Sequence, residues 1–474
     1  MIGARASLLL SALVLAGCTL GPHDRSGSVP LPPARASDRI VPQSGTAQTL
    51  EVGAAPVPEW WHSFASPKLD ALVDQALKHN SDLAVADATL RQARELAKAA
   101  AGAQGLQVDA SYAAQGLRAS GTFSPPLNDP NAYLYSLHTA QLTVTYPLDV
   151  FGGGRSKTRS ARAAADVASF KAVAARTTVV ANLVLAVIQH ASLEAQIEAT
   201  KAAIASDREL VALIERRRAL GDLGEADVVA QQSALATVEA TLPGLERQLT
   251  HQTGLINNLV GVPAGSPAPD LPHLSELALP EHLPIGLPAD IVAHRPDVRA
   301  ADAAVRGAAA DVGTAIAARL PSLQLTGTAG GLATRIEEIF ANGNLFFSAV
   351  GTVTQPIFHS RQLLHQKRAA DAALDAAKAQ YRSTALQAFL DVDDAIAGLK
   401  TDAAALDAAA RANAAATRSL ALTRRQLELG AIGTIALLNA SVAAEQASAT
   451  LVQARTARLS DSVALFQACG TQVD

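Results

Sequence analysis

Few residues in this chain are placed for chemistry, and those that are fall short of a catalytic set. Asp391, Asp393 and Asp394 crowd one stretch, and clustered carboxylates can serve acid–base or metal chemistry. On one amphipathic helix they read instead as a solvated or ion-paired face. The 11 histidines are scattered. His359 and His365 stand too far apart for the i,i+4 pairing of a helical metal site, and no cysteine accompanies them. Gly152-Gly153-Gly154-Arg155 lacks the Lys-Ser/Thr that closes a phosphate loop, so it reads as a hinge. No enzyme chemistry, metal or cofactor is expected. Two arginine groups remain, Arg216-Arg217-Arg218 and Arg424-Arg425, each a few residues before a glycine, Gly221 or Gly430. Cations in a last helical turn offset the helix dipole, and a share in gating is the second reading.

The elements that must carry these residues centre on the stretch from Gln141 to Leu220. From Ala140 to Leu148 apolar and polar residues alternate, the period of a strand with one oily and one wet face. After Asp149 to Arg155, a flexible joint, neither proline nor glycine occurs before Gly221. Residues 156–220 can therefore form one helix of about 100 Å. Leu106, Val108, Ala110 and Tyr112 mark a second alternating strand. Residues 123–130, rich in turn formers, join the two. Pro67 to His79 and Asp82 to Ala103 read as helices, as does Glu225 to Leu259, where Pro243-Gly244 should kink or interrupt the run. The composition is 49% hydrophobic but only 4% aromatic. With alanine supplying much of the difference, it predicts long, closely packed helices around a thin core. A formal net charge of −4 gives no case for nucleic-acid binding.

The pattern then recurs. Asp82-Leu83 answers Asp297-Val298, Ala86-Asp87-Ala88 answers Ala301-Asp302-Ala303, and Leu90-Arg91 answers Val305-Arg306, all at one interval. Pro147 to Pro356 and Gly221 to Gly430 share a second, slightly shorter interval, because the second interstrand loop is the shorter one. A period of about 210 residues marks a duplicated domain rather than a solenoid. The boundaries are a signal peptide 1–17, an extended tether 18–58, a first repeat 59–260, a linker 261–290 and a second repeat 291–470. The first repeat holds strands near 106–116 and 134–148 and helices near 156–220 and 225–259. The second holds strands near 322–331 and 345–357 and helices near 361–429 and 434–467. Four strands cannot close a barrel, which takes roughly eight, and a membrane barrel must close. The chain must associate if its strands are embedded, and two, three or four copies all remain open on this argument alone.

At the N-terminus, Arg5 precedes the short apolar run Leu8 to Leu15, the form of a signal peptide. Leu15-Ala16-Gly17-Cys18 resembles the processing box of bacterial lipoproteins. That resemblance implies acylation at Cys18, and Thr19 after it favours delivery to the outer membrane. Cys469 reads as a buried small hydrophobe.

Trp60-Trp61-His62-Ser63-Phe64 with Pro67, Leu69, Leu72 and Asn80 resembles the opening of the TolC-like outer-membrane efflux channel family, lipoprotein branch. Tyr146-Pro147-Leu148-Asp149-Val150-Phe151-Gly152-Gly153 is similar to that family's strand-to-helix crossing. Leu287-Pro288-Ala289-Asp290 with Arg295-Pro296-Asp297-Val298 is similar to the start of its second repeat. The resemblance covers about residues 15–470. It implies a mostly α protein with a β-barrel part. Three copies would form a twelve-stranded outer-membrane barrel continuous with a periplasmic α-barrel. The expected partners are a homotrimer, a periplasmic adaptor protein, an inner-membrane pump and outer-membrane lipid, with no nucleic acid. The expected function is a passive exit duct for small molecules such as drugs or aromatic acids.

On this resemblance Gly221 and Gly430 sit in the adaptor-contacting tip turns. Asp222, Glu225, Asp227, Arg424, Arg425, Leu427 and Asn439 are aperture candidates, and Pro147, Gly152, Gly153 and Pro356 mark the strand–helix joints. The chain departs from the family pattern at His294, at Phe358-His359-Ser360-Arg361 in the second crossing, and at the tip. There, acidic aperture positions of many relatives fall near the neutral Ala436 and Asn439. A coiled-coil lipoprotein without a pore and a general diffusion porin are the competing classes. For the anchor, metabolic labelling with a fatty acid should mark the wild type and not Cys18→Ser; equal label in both would refute acylation at Cys18.

Overall fold

The computed structural model describes residues 21–22, 27, 29–33, 37–41, 46–54, 57–118 and 134–470. Cys18 and its processing box lie outside the described residues. In chain order the strands are β1 (Asp38–Ile40), β2 (Gln48–Val52), β3 (Gln107–Arg118), β4 (Leu134–Leu148), β5 (His282–Ile285), β6 (Ser322–Ala333) and β7 (Leu345–Thr354). The helices are α1 (Pro67–His79), α2 (Ser81–Gly102), α3 (Gly153–Ala219), α4 (Glu225–Leu259), α5 (Pro288–His294), α6 (Pro296–Ala317), α7 (Ser360–Glu428) and α8 (Thr434–Ala468). The chain folds into two compact units, one built on Leu90–Ala168 and Ala301–Tyr381, the other on Ser28–Thr89, Ser169–Ala300 and Arg382–Asp474.

The first unit is organised by an antiparallel sheet of order β3-β4-β6-β7. Its register lays like residues side by side. Ala110, Leu142, Ala329 and Phe347 form one cross-strand row, and Val108, Val144, Gly327 and Ala349 another. On the opposite face Asp109, Thr143, Thr328 and Ser348 line up, and the Thr328 and Ser348 hydroxyls hydrogen-bond at 2.5 Å. Because the side-chain period is two, this register gives one apolar and one polar face. Alanines and glycines bring the flanking helices close. A Cβ on Gly307 of α6 would lie 3.5 Å from that of Ala163 on α3, and Arg306 pairs with Asp166 at 3.2 Å across the same seam.

The crossing from β4 into α3 is not the flexible joint that its glycines suggest. Gly152 takes the left-handed backbone (φ +74°), and α3 already begins at Gly153. The Asp149 carboxylate accepts from the backbone N–H groups of Gly154 (3.0 Å) and Arg155 (2.8 Å), satisfying donors of the first turn that have no intrahelical partner. The absent side chains make room for neighbours. A Cβ on Gly153 would meet Ala317 at 2.9 Å, and one on Gly154 would overlap Gln104. The joint is packed and capped. Pro147 lies inside β4, paired with Gln324, whereas Pro356 falls between β7 and α7.

The second unit holds the larger core. Val180, Leu183, Val184, Val187 and Ile188 of α3 are buried, as are Trp60, Phe64, Leu69 and Val73. Trp60 stacks on Phe466 of α8 with ring centroids 5.2 Å apart. Stretches of α3 and α8 are long and apolar enough to cross a bilayer by composition, but this core takes much of the α3 stretch. Arg295 acts as a hub: it bonds Asp297 (2.7 Å), Asp391 (2.9 Å) and the Ala468 carbonyl (3.0 Å). Burial alone would lower its pKa, but the two carboxylates more than offset this and hold it raised, so the guanidinium stays charged. Asp391 is thus an ion-pair partner rather than a catalytic acid. Cys469 is buried, and burial pushes its thiol up to about 11.

Two expectations need correction here. The 18–58 segment is not wholly an unpacked tether: β1 and β2 pair antiparallel within it, and β2 pairs parallel with β5 from the 261–290 linker. Gln48, fully buried, supplies the reason. Its amide donates to the Pro280 carbonyl (2.9 Å) and the Ser462 hydroxyl (3.0 Å), so a polar-looking segment is packed through hydrogen bonds. Nor does Pro243 interrupt α4, which runs unbroken to Leu259. The capping at the joint is testable. Asp149→Ala should destabilise the start of α3 by about 1 kcal/mol, read as faster amide exchange at Gly154 and Arg155 with strand exchange unchanged.

Candidate functional site

Both long helices of the second unit end in the same turn. Gly221 (φ +86°) and Gly430 (φ +71°) adopt the left-handed conformation that glycine enters without penalty. Gly221 N–H bonds the Arg218 carbonyl (2.9 Å) and Asp222 N–H the Arg217 carbonyl (3.0 Å). Gly430 N–H bonds the Leu427 carbonyl (2.9 Å) and Ala431 N–H the Gln426 carbonyl (2.9 Å). Each pair is a Schellman motif, which satisfies carbonyls left over at the helix end. Gly224 and Gly433 then open α4 and α8 with almost identical backbone angles.

The two turns differ in charge. Asp227, at the third position of α4, accepts from the Gly224 N–H (3.1 Å) and so caps its own helix. Its counterpart on α8 is Ala436, which has nothing to offer. Asp227 serves that side too, because its second oxygen accepts from the Thr434 hydroxyl at the first position of α8. One carboxylate therefore ties both tip turns together.

Arg217, Arg218 and Arg424 have partners within the chain. Arg218 pairs with Glu225 at 2.5 Å, Arg217 donates to the Glu428 carbonyl at 2.9 Å, and Arg424 donates to the Ser206 hydroxyl at 2.6 Å. Asp222, Arg425 and Asn439 are exposed. Leu427 is only 1% exposed and packs with Leu210 and Leu437. That position makes it the core of the tip within one chain.

Sequence reasoning missed Asp207. It is 2% exposed on α3 and bonds Ser441 of α8 (3.2 Å) and Gln231 of α4 (3.5 Å). Burial raises its pKa against the opposing pull of Ser441 and Arg424, and burial together with Asp207 raises that of Glu445. Such carboxyls favour the folded state most at low pH and lose that contribution as the pH climbs through their folded pKa values. A signal existed, since Asp207 interrupts the apolar series Ile204, Leu210, Ile214. Beside it α3, α4 and α8 border an open groove of about 930 Å³, lined by Gln196, Ala203, Ala234, Val238, Asn439 and Val442 among others. The groove offers small, polar and aliphatic side chains and no arrangement suited to bond chemistry. Among the described residues no group of His, Cys, Asp and Glu is placed to hold a metal ion.

The outer membrane efflux protein family model matches residues 72–262 and 287–471, one match for each half of the duplication. The chain belongs to that family. It is 27% identical over 453 residues to the pyoverdine export outer membrane protein OpmQ of Pseudomonas putida, covering 94% of each chain. It is 28% identical to the outer membrane protein OprJ of Pseudomonas aeruginosa, covering 98% of this chain and 95% of that one. The solved outer-membrane channel OprN superposes with a TM-score of 0.86 at 25% identity over 96% of this chain and 99% of that chain. The fold is that of the TolC-like outer-membrane channels, and the family consists of efflux channels rather than enzymes.

The tip core yields a prediction. Leu427→Ala should cost about 2–5 kcal/mol, expressed as faster amide exchange in residues 205–214 and 420–440 while the four-stranded sheet keeps its protection.

Proposed function

We propose that this chain is the outer-membrane exit duct of a tripartite efflux system, moving small molecules passively while an inner-membrane pump supplies the energy. The observation that carries the reading is the sheet β3-β4-β6-β7, with one apolar face, one polar face and two edges left without a strand partner among the described residues, in a member of the efflux family. Three copies of this four-stranded sheet give a closed barrel of twelve strands whose apolar face meets lipid and whose polar face lines the lumen. Acyl chains on Cys18 add a second hold on the outer membrane, and the large helical part lies in the periplasm. The tip turns at Gly221 and Gly430 meet the periplasmic adaptor. The chemical range of the cargo spans drugs and aromatic acids, and the relatives' names include the export of pyoverdine and the efflux of toluene. A pore-free coiled-coil lipoprotein has no use for the alternating sheet, and a diffusion porin has none for helices of 67 and 69 residues.

The periplasmic aperture is formed by the tip residues Asp222, Glu225, Asp227, Arg424, Arg425 and Asn439 and is closed by charge pairing between neighbouring copies. The exposed Asp222, Arg425 and Glu225 carry that pairing, Glu225 being shared with Arg218 of its own chain, while Asp227 and Arg424 brace each tip internally. Leu427 supports the turn from behind. Exposed pairs contribute about 0–1 kcal/mol each, so threefold repetition holds the aperture shut while leaving it weak enough for an adaptor to open. Two measurements test the reading together. Mass determination in detergent should give a trimer; a stable monomer or dimer would overturn the barrel. In a planar bilayer, Asp222→Ala with Glu225→Ala should raise single-channel conductance, and high salt should partly reproduce the rise. Unchanged conductance in the double variant would assign closure to apolar packing instead of charge.

A further inference from the structure

The polar face of the four-stranded sheet carries a single charge. Asp109 and Arg118 are the only Asp, Glu, Lys or Arg residues in β3, β4, β6 and β7. The register separates them. Arg118, the last residue of β3, stands opposite Leu134, and the two-residue period puts it on the face of Val108, Ala110 and Tyr112. Asp109 stands on the other face, exposed, in the row Asp109-Thr143-Thr328-Ser348. Gln107 and Ser111 flank it on that face of its own strand, so hydroxyls and amides surround the carboxylate.

The duplication does not repeat this charge. At the interval that relates the first strand of one repeat to that of the other, Asp109 corresponds to Gln324, a neutral amide. Each chain therefore contributes one carboxylate to the polar face. It lies in the second polar row from the end at which β4 leads into the long helix α3.

We propose that three copies of Asp109 form an acidic ring in the barrel lumen, which makes the duct favour cationic over anionic solutes. The inference rests on the three-copy barrel proposed above. Twelve strands about 4.8 Å apart and tilted by about 40° close a backbone ring about 24 Å across. Side chains reaching about 5 Å inward leave a bore of about 14 Å. Its axis then lies about 7 Å from the wall, inside the screening length of about 8 Å at physiological salt. Rings of acidic side chains select cations in channels for this reason. With the dielectric constant of water and that screening, three unit charges give a monovalent cation about tenfold the occupancy of a monovalent anion on the axis. At 1 M salt, where screening acts over about 3 Å, the preference shrinks to about twofold. Within the proposed cargo range the ring favours basic drugs over aromatic acids.

Asp109 belongs to the first compact unit and the tip carboxylates to the second, so the two can be varied separately. The test uses the full-length protein in a planar bilayer across a KCl gradient, in an Asp222→Ala, Glu225→Ala background that removes two tip carboxylates. The permeability ratio of K⁺ to Cl⁻ should fall about tenfold on Asp109→Asn near physiological ionic strength and only about twofold near 1 M. Asp109→Lys should invert the preference. Detergent mass of each variant checks that it still assembles. A starting protein that forms no trimer or no channel would overturn the duct and the ring with it. Channels whose ion preference is the same with Asn as with Asp at position 109 would overturn the ring alone, as would a difference that salt does not weaken.

Discussion

Backbone hydrogen bonding governs this molecule. In the sheet β3-β4-β6-β7 the inner strands are paired on both sides, but β3 and β7 are edge strands, each with a row of N–H and C=O groups that has no strand partner among the described residues. In water that is an aggregation risk. In hydrocarbon it costs several kcal/mol per group and is not tolerated. A sheet whose apolar rows run Ala110-Leu142-Ala329-Phe347 has to lie against lipid or against protein along its whole face. On the proposed membrane placement association becomes a condition of the fold, and the polar rows opposite, Asp109-Thr143-Thr328-Ser348, become the wall of whatever is enclosed.

The same accounting explains the helix ends. A helix of 67 or 69 residues leaves only its terminal groups unsatisfied, and three of the four ends have a local solution: the Asp149 carboxylate at the start of α3, and the Schellman turns at Gly221 and Gly430. The buried polar residues obey the rule too. Gln48 spends its amide on Pro280, Ser462 and Arg458, and Arg295 spends its guanidinium on two carboxylates and backbone carbonyls. Polar contacts, as much as apolar area, hold the alanine-rich helices in register.

What could be read from the sequence was whatever has a local period or a local breaker. Leu142, Val144 and Tyr146 alternate with threonines, and Gly221 and Gly430 stop otherwise uninterrupted helices, so strands, helices and duplication were all legible. The misreadings came from contacts made far along the chain. The β2 strap looked like a tether because its seat, Arg458 and Ser462, lies some four hundred residues away and its bond with β5 is a long-range parallel pairing. The glycines at 152–154 looked loose because Gln104 and Ala317, which need their space, belong to other elements. At the tip, the charges were visible but not their partners. Arg218 with Glu225 is a local pair, whereas Arg424 with Ser206 and Thr434 with Asp227 join the two halves.

Asp227 has a consequence for the history of the chain. A duplicated domain starts with two interchangeable copies, each capping its own tip. Here the second copy carries Ala436 where the first has Asp227, and Thr434 leans on the first copy's carboxylate. The acid of the first half serves the tip turn of the second. From that point neither half is a complete unit: a tandem of two first halves would duplicate the acid, and a pair of second halves would have none. The division of labour at this one carboxylate commits the two repeats to a single chain, so that residues 227 and 434 can drift only as a pair.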